Sequence, residues 1–283
     1  MEKARPSQTS GIPAVMRALH QTSDEEPKIL YDPIAPKLVD IANLSGSWLA
    51  PFLAHPFAPQ WRAGFLIRSR YAEDSLADGV LRGLSQYLIL GAGLDTFAYR
   101  QPHWAHALKI FEVDHPATQG FKRDRLVKSN IAPPDNLTFV PVDFETTSLK
   151  QALCNTSFAF HRTTFCSWLG VTQYLTLAAI DATLAFILSL PRASEIVFSF
   201  SLPQNALSGI EADAVAIAAA KSGEAGEPWI SRFYPADLIA RLRRMGFAEV
   251  IHLTPEQALE RYVKKRQDGL VIRGGEQLLR AVV

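Results

Sequence analysis

The sequence predicts an α/β protein, with a Rossmann-like, seven-stranded, mostly parallel sheet covered by helices and preceded by an N-terminal helical cover. Three observations lead there. Seven short apolar runs of strand length lie between residues 86 and 283. Most stop on a residue suited to a turn or a ligand: QYLIL at Gly91, ALKIFEV at Asp114, NLTFVPV at Asp143 and TTFCSWL at Gly170. Segments with helical spacing separate them, and this alternation makes a largely parallel sheet buried on both faces.

In chain order, residues 1 to about 84 read as mostly helical, with breaks at Pro33, Pro36, Pro51, Pro56 and Pro59. They are read as a cover belonging to the same unit as a core over 85–283. The core opens with the run at 86–90, followed by 107–113. HPATQGFKRDRLVKSN (115–130) then has a charged face and Pro116 at an early helical position. The third and fourth runs are 136–142 and 163–169. TLAAIDATLAFILSL (176–190) carries apolar residues at i, i+3, i+4 and i+7, the mark of a helix packed on a sheet. SEIVFSF (194–200) ends at Ser201, and an insertion over 203–234 follows. PADLIARLRRMGF (235–247) starts on Pro235 and stops at Gly246, as helices often do. The last two runs, 248–253 and 276–283, are predicted to include an antiparallel excursion.

The chain has 283 residues, enough for one large domain or two small ones. Hydrophobic residues are 48% and charged residues 20%, as in soluble globular proteins. Lys plus Arg is 29 and Asp plus Glu is 28, a balance that argues against a nucleic-acid partner. Cys154 and Cys166 are too few for a disulfide framework and lack zinc-site spacing, so both are expected to be core thiols in a reducing cytosol. MEKARPSQTSGIPAVM lacks the apolar core of a signal peptide, and no apolar stretch reaches membrane-spanning length. The expectation is a cytoplasmic protein without a membrane or metal partner.

In α/β sheets ligands bind beyond the carboxyl ends of the strands. Gly91-Ala92-Gly93 lets backbone approach a ligand closely. The dinucleotide pattern G-x-G-x-x-G has Thr96 at its third position here, which weakens that reading without excluding it, and a plain tight turn is the bland alternative. Asp114 can accept both ribose hydroxyls of an adenosine ligand, with Glu112 on the same strand face as a helper. Its alternative is a helix N-cap. Asp143 can reach an adenine amino group while Phe144 covers the ring, or Asp143 can simply start a helix at 145–153. Acids after both the second and third strands are more typical of S-adenosylmethionine sites than of dinucleotide sites. In RSRYAED (68–74), Arg68 or Arg70 could fork onto a ligand carboxylate, against the default of a solvated helix face.

YLILGAGLDTFAYR, FEVDHP followed by KRDRL, PVDFE and RSRY together resemble the S-adenosylmethionine-dependent methyltransferases of the leucine carboxyl methyltransferase type, and more closely their bacterial O-methyltransferase branch of polyketide and secondary metabolism. The resemblance runs from about residue 5 to the C-terminus and is strongest between 68 and 175. It implies a seven-stranded methyltransferase fold with S-adenosylmethionine as cofactor. By motif it gives the cofactor carboxylate to the arginine of RSRY, taken as Arg70. Gly91 and Gly93 approach the methionine portion, Asp114 the ribose, and Asp143 with Phe144 the adenine. PSQTS matches a segment that closes over the cofactor, with Ser7 and Thr9 as contacts. In the eukaryotic phosphatase methylators a glutamate ends the fourth strand, where this chain has Leu169. That departure favours a small-molecule acceptor over a protein.

Methyl transfer from a sulfonium is an in-line displacement that needs alignment and exclusion of water. A carboxylate acceptor needs no base, whereas a hydroxyl gains from one. WLGVTQYL after the fourth strand supplies Trp168, Gln173 and Tyr174 as acceptor-site residues. The 203–234 insertion, with GEPWISRFY, would act as a lid whose Trp229 and Phe233 line an apolar pocket. Tyr174 and His161 are the residues considered for catalysis, with His115 a further possible base. The competing readings are an NAD(P)-dependent oxidoreductase lacking the third glycine, and a non-catalytic cofactor-binding protein.

Overall fold

The structure is a computed structural model that describes residues 6–41, 43, 49–271, 273 and 275–283. Its N-terminal part holds α1 (Gly11–Ser23), α2 (Ala35–Leu38), α3 (Ala50–Ala54) and the long α4 (Ala58–Leu81). Pro36, Pro51 and Pro59 do not interrupt these helices. Each sits in a first turn, where the missing N–H costs no hydrogen bond.

The core then runs β1 (Gln86–Leu90), β2 (Lys109–Asp114), α5 (Pro116–Lys128), β3 (Leu137–Pro141), α6 (Leu149–Cys154), β4 (Thr164–Trp168), α7 (Leu177–Leu188) and β5 (Glu195–Ser201). It continues with α8 (Gly209–Glu224), α9 (Pro235–Met245), β6 (Glu249–Leu253), α10 (Pro255–Tyr262) and β7 (Glu276–Val282). All seven sheet strands fall on the apolar runs, within a residue or two at each end. The helix expected at 145–153 starts only after Ser148, because residues 143–147 form a turn.

The strand order is β3-β2-β1-β4-β5-β7-β6. The pairs from β3 to β5 are parallel. The antiparallel excursion is β7, inserted between β5 and β6 and antiparallel to both. The chain winds outward from β1 through β2 to β3, then returns to lay β4 on the other side of β1. This reversal opens a crevice at the carboxyl ends of β1 and β4.

Side-chain alternation divides the core in two. Leu88, Leu90, Phe111, Cys166, Trp168 and Phe198 face α6, α7 and α9. Tyr87, Ile89, Ile110, Phe165 and Val197 face α4 and α10. The helical cover is therefore one wall of the main core. Cys166 is buried as expected, and burial pushes its thiol well up. Cys154 is not a core thiol, since it ends α6 on an exposed face. Among the described residues no helix is long and apolar enough to cross a membrane, and no group of three or more His, Cys, Asp or Glu is placed to hold a metal.

Candidate active site

β1 ends at Leu90, and the next turn uses left-handed backbone at Gly91 (φ 66°) and Gly93 (φ 47°). A Cβ at Gly91 would also overlap the Val171 side chain. The turn is tied to β2, because the Gly91 amide donates to the Val113 carbonyl at 2.8 Å. The Asp114 carboxylate accepts the Gly93 amide and, at 2.7 Å, the His115 amide. Burial pushes the Asp114 carboxyl up, opposed by these two backbone donors. Asp114 does not cap α5. His115 does, its ring nitrogen accepting the Ala117 amide at 3.3 Å. Glu112 is no helper at the ribose position. It is 1% exposed and paired with Lys122 at 2.6 Å, and burial pushes its carboxyl up to about 7.

The crevice deepens into a cavity of about 620 Å³. Asp114, Asp143 and Phe144 line it. Asp143 accepts the Glu145 amide at 3.0 Å, which fixes the turn carrying Phe144. Its apolar lining includes Phe57, Trp61 and Phe65 from the N-terminal part and Val215 and Trp229 from the 203–234 segment. Gly91, Leu169 and Gly170 line it as well.

Several sequence expectations move. Arg70 points away from the cavity, pairing with Asp74 at 2.7 Å and donating to the Ile29 carbonyl at 3.1 Å. Arg68 lines the cavity instead, 7% exposed, with its Nη1 on Glu276 at 2.7 Å. The reason is helical phase: two residues turn the side chain by about 200°. Trp61, Phe65 and Arg68 share one stripe of α4, and Arg70 is on the far side. Trp168 is wholly buried and lines nothing. It packs behind Phe144, with ring centroids 6.4 Å apart, and so supports the wall it was expected to form. Phe233 turns into the same core beside Phe200. His161 is exposed in the loop before β4, at the opposite edge of the sheet from the cavity. Gln173, Tyr174, Trp229 and His115 do line the cavity. The Gln173 carbonyl accepts the Ile230 amide at 2.7 Å, joining the 203–234 segment to the loop after β4.

The family model for leucine carboxyl methyltransferase matches residues 11–188. The chain belongs to the leucine carboxyl methyltransferase family. YktD of Bacillus subtilis, described as a candidate S-adenosyl-L-methionine-dependent methyltransferase, is 32% identical over 292 residues, covering 95% of both chains. A protein of the same description from Mycolicibacterium paratuberculosis is 28% identical over 214 residues, 71% of this chain and 67% of that one. A candidate methyltransferase structure from Thermobifida fusca superposes with a TM-score of 0.58 at 17% identity, covering 99% of this chain and 96% of that one, and so shares the fold. The chain is a methyltransferase, and its cofactor is S-adenosylmethionine.

The residues fit that cofactor. The glycine cradle is one that a Cβ would fill, a carboxylate stands where a ribose needs an acceptor, and an aromatic ring lies beside the second acid. Arg68 offers a guanidinium on which, among the described residues, only Nη1 has a hydrogen-bond partner. The methyltransferase turn departs from the dinucleotide pattern for a structural reason. Thr96 is fully buried and donates its hydroxyl to Asp32 at 2.6 Å. Asp32 also takes Arg17 at 3.0 Å, while Arg17 donates to the Leu94 carbonyl at 2.6 Å. Arg100 bonds Thr96 at 3.0 Å and Glu73 at 3.0 Å. This buried network clamps the turn to α1 and α4. Sequence reading missed it, along with Glu276 and the aromatic stripe of α4.

Proposed function

We infer that the enzyme methylates an oxygen, carboxyl or hydroxyl, of a small apolar metabolite. One observation carries this reading: a single cavity is lined both by Asp114 and Asp143 and by the apolar rings of Trp61, Phe65 and Trp229. Its volume, about 620 Å³, lies in the range of small-molecule sites. The 1–84 segment acts as a cover and the 203–234 segment as a lid, since both contribute apolar side chains to the cavity lining.

When bound, the cofactor supplies a methyl group on a cationic sulfur, already activated for displacement. The chain's task is then positioning and exclusion of water, worth up to roughly 7–11 kcal/mol when orientation is good. Asp114 and Asp143 fix the adenosine half, Arg68 the carboxylate, and the aromatic wall keeps the acceptor dry. Tyr174 is the titratable hydroxyl on the loop after β4, and His161 is too remote to act as a base. A carboxylate acceptor needs no base, and a hydroxyl acceptor would draw on Tyr174 or His115, both on the cavity wall. The nicotinamide alternative is not favoured, because Thr96 fills the place of the third glycine with a side chain held in the Asp32 clamp.

The test is transfer of a labelled methyl group from S-adenosylmethionine into fractionated cell extract, with mass analysis of the product. Label in apolar small molecules supports the reading, and base-labile label would mark a methyl ester. Label confined to the protein fraction overturns it.

A further inference from the structure

Glu227 is the cavity-lining carboxylate that holds the N-terminal strap. It follows α8, is 6% exposed and lines the cavity. Its oxygens accept the Ser7 hydroxyl at 3.0 Å, the Gln8 amide at 2.8 Å and the Thr9 hydroxyl. All three donors are neutral. Among the described residues no Lys, Arg or His is within ion-pair distance of it. Lys221, six residues earlier, pairs with Glu224 at 2.7 Å instead. Of the other carboxylates on the cavity wall, Glu276 has Arg68, while Asp114, already given to the ribose, also takes only neutral donors. A cationic ligand in the cavity would supply the opposite charge that the described residues do not place beside this Glu227 carboxylate.

The N-terminal strap that Glu227 holds lies beside the glycine turn and the start of α5. The Ser7 amide donates to the Thr118 hydroxyl, one turn into α5 beyond Asp114, at 3.0 Å. Ser10 comes so close that its Cβ would be 3.3 Å from a Cβ built on Gly93. Glu227 thus ties the 203–234 segment to a strap that lies against the glycine turn and the start of α5.

We propose that Glu227 is the countercharge for the cationic methyl donor, so that the closed strap favours S-adenosylmethionine over its product S-adenosylhomocysteine. The two ligands share adenosine and amino-acid groups and differ by one charge. In transfer an acceptor oxygen lone pair forms the new C–O bond while the C–S pair stays on sulfur, which becomes a neutral thioether. Glu227 then loses its partner, and the strap loses its preference for staying closed. The proposal rests on the family's cofactor.

Calorimetric titration of the full chain tests it with three probes: S-adenosylmethionine, S-adenosylhomocysteine, and sinefungin, in which a protonated amine replaces the methyl sulfonium. Glu227→Gln should weaken both cationic ligands on the order of tenfold, the ratio that follows from about 1.4 kcal/mol of charge attraction, and leave the product within roughly twofold. Glu227→Asp should keep the preference. Ser7→Ala with Thr9→Val, which loosens the strap but keeps the charge, should weaken all three alike. Equal weakening of all three by Glu227→Gln, or no change, overturns the proposal and leaves Glu227 as a latch only. Should Glu227→Gln fail to fold, the wild type decides, since equal binding of sinefungin and product overturns the idea. A wild type that binds none of the three overturns the cofactor assignment as well.

Discussion

Replacing Asp32 by alanine should unfold the clamp beneath the glycine turn. Asp32 is fully buried and accepts Arg17 at 3.0 Å, Thr96 at 2.6 Å and the Ala35 amide at 2.9 Å. Arg17 and Arg100 have side chains only 6% and 8% exposed. Without Asp32, Arg17 keeps the Leu94 carbonyl alone, while Arg100 keeps Glu73. Removing one member of a buried ion pair leaves an uncompensated charge and costs about 3–5 kcal/mol. Thr96→Val removes one hydrogen bond to a charged group and should cost less, about 1.5–3 kcal/mol. Urea unfolding at constant m-value reads both, and the Asp32→Ala melting point should fall by about 6–20 °C. Acid supplies a second check. Burial alone would raise the Asp32 carboxyl, but Arg17, Arg100, Thr96 and the Ala35 amide together hold it below the ordinary value. Its contribution is then present above the unfolded carboxylate range and lost as pH falls through the folded value. Wild-type and Asp32→Ala stabilities should converge toward low pH. A cost under about 1 kcal/mol, or a gap that does not narrow in acid, would refute the clamp.

Three further outcomes follow from the site. Asp114→Ala should weaken S-adenosylhomocysteine binding roughly 10- to 150-fold in calorimetry, from the loss of about 1.5–3 kcal/mol of charge-assisted hydrogen bonding. Because burial raises the Asp114 carboxyl, wild-type affinity should begin to fall on acidification at a higher pH than an ordinary carboxylate would give. Arg68→Met should weaken the cofactor in the same assay, whereas Arg70→Met should leave affinity unchanged and stability within about 0.5 kcal/mol, as for exposed helix pairs. Gly91→Ala meets both a positive φ and the Val171 side chain, so it should destabilise by about 1–3 kcal/mol and abolish binding, read by melting and titration.

The strands were legible because each is a short apolar run closed by a turn residue, and a parallel sheet buries both faces of its strands. The carboxyl-end residues Gly91, Gly93, Asp114, Asp143 and Phe144 could be placed from that pattern, since the fold fixes which end of a strand meets the ligand. Side-chain direction was less legible. Arg68 and Arg70 look equivalent in RSRY, and only the stripe from Trp61 through Phe65 separates them. Trp168 ends β4, where the sheet's alternation turns it inward, and Phe233, in the loop before α9, packs onto Phe200. His161 is near a strand terminus, but at the wrong end. The Asp32 clamp and the Glu227 latch join residues 64 and 220 positions apart. No local spacing marks such pairs, and buried charge is visible only once the chain is folded.

The central claim is that the crevice at the carboxyl ends of β1 and β4, flanked by Asp114 and Asp143, is a methyl-donor site. The most direct measurement is calorimetric titration with S-adenosylhomocysteine and with NAD, on the wild type and on Asp114→Ala. One-site binding of S-adenosylhomocysteine, weakened by Asp114→Ala, with no heat from NAD is the predicted result. Saturable NAD binding with none of S-adenosylhomocysteine would contradict the account.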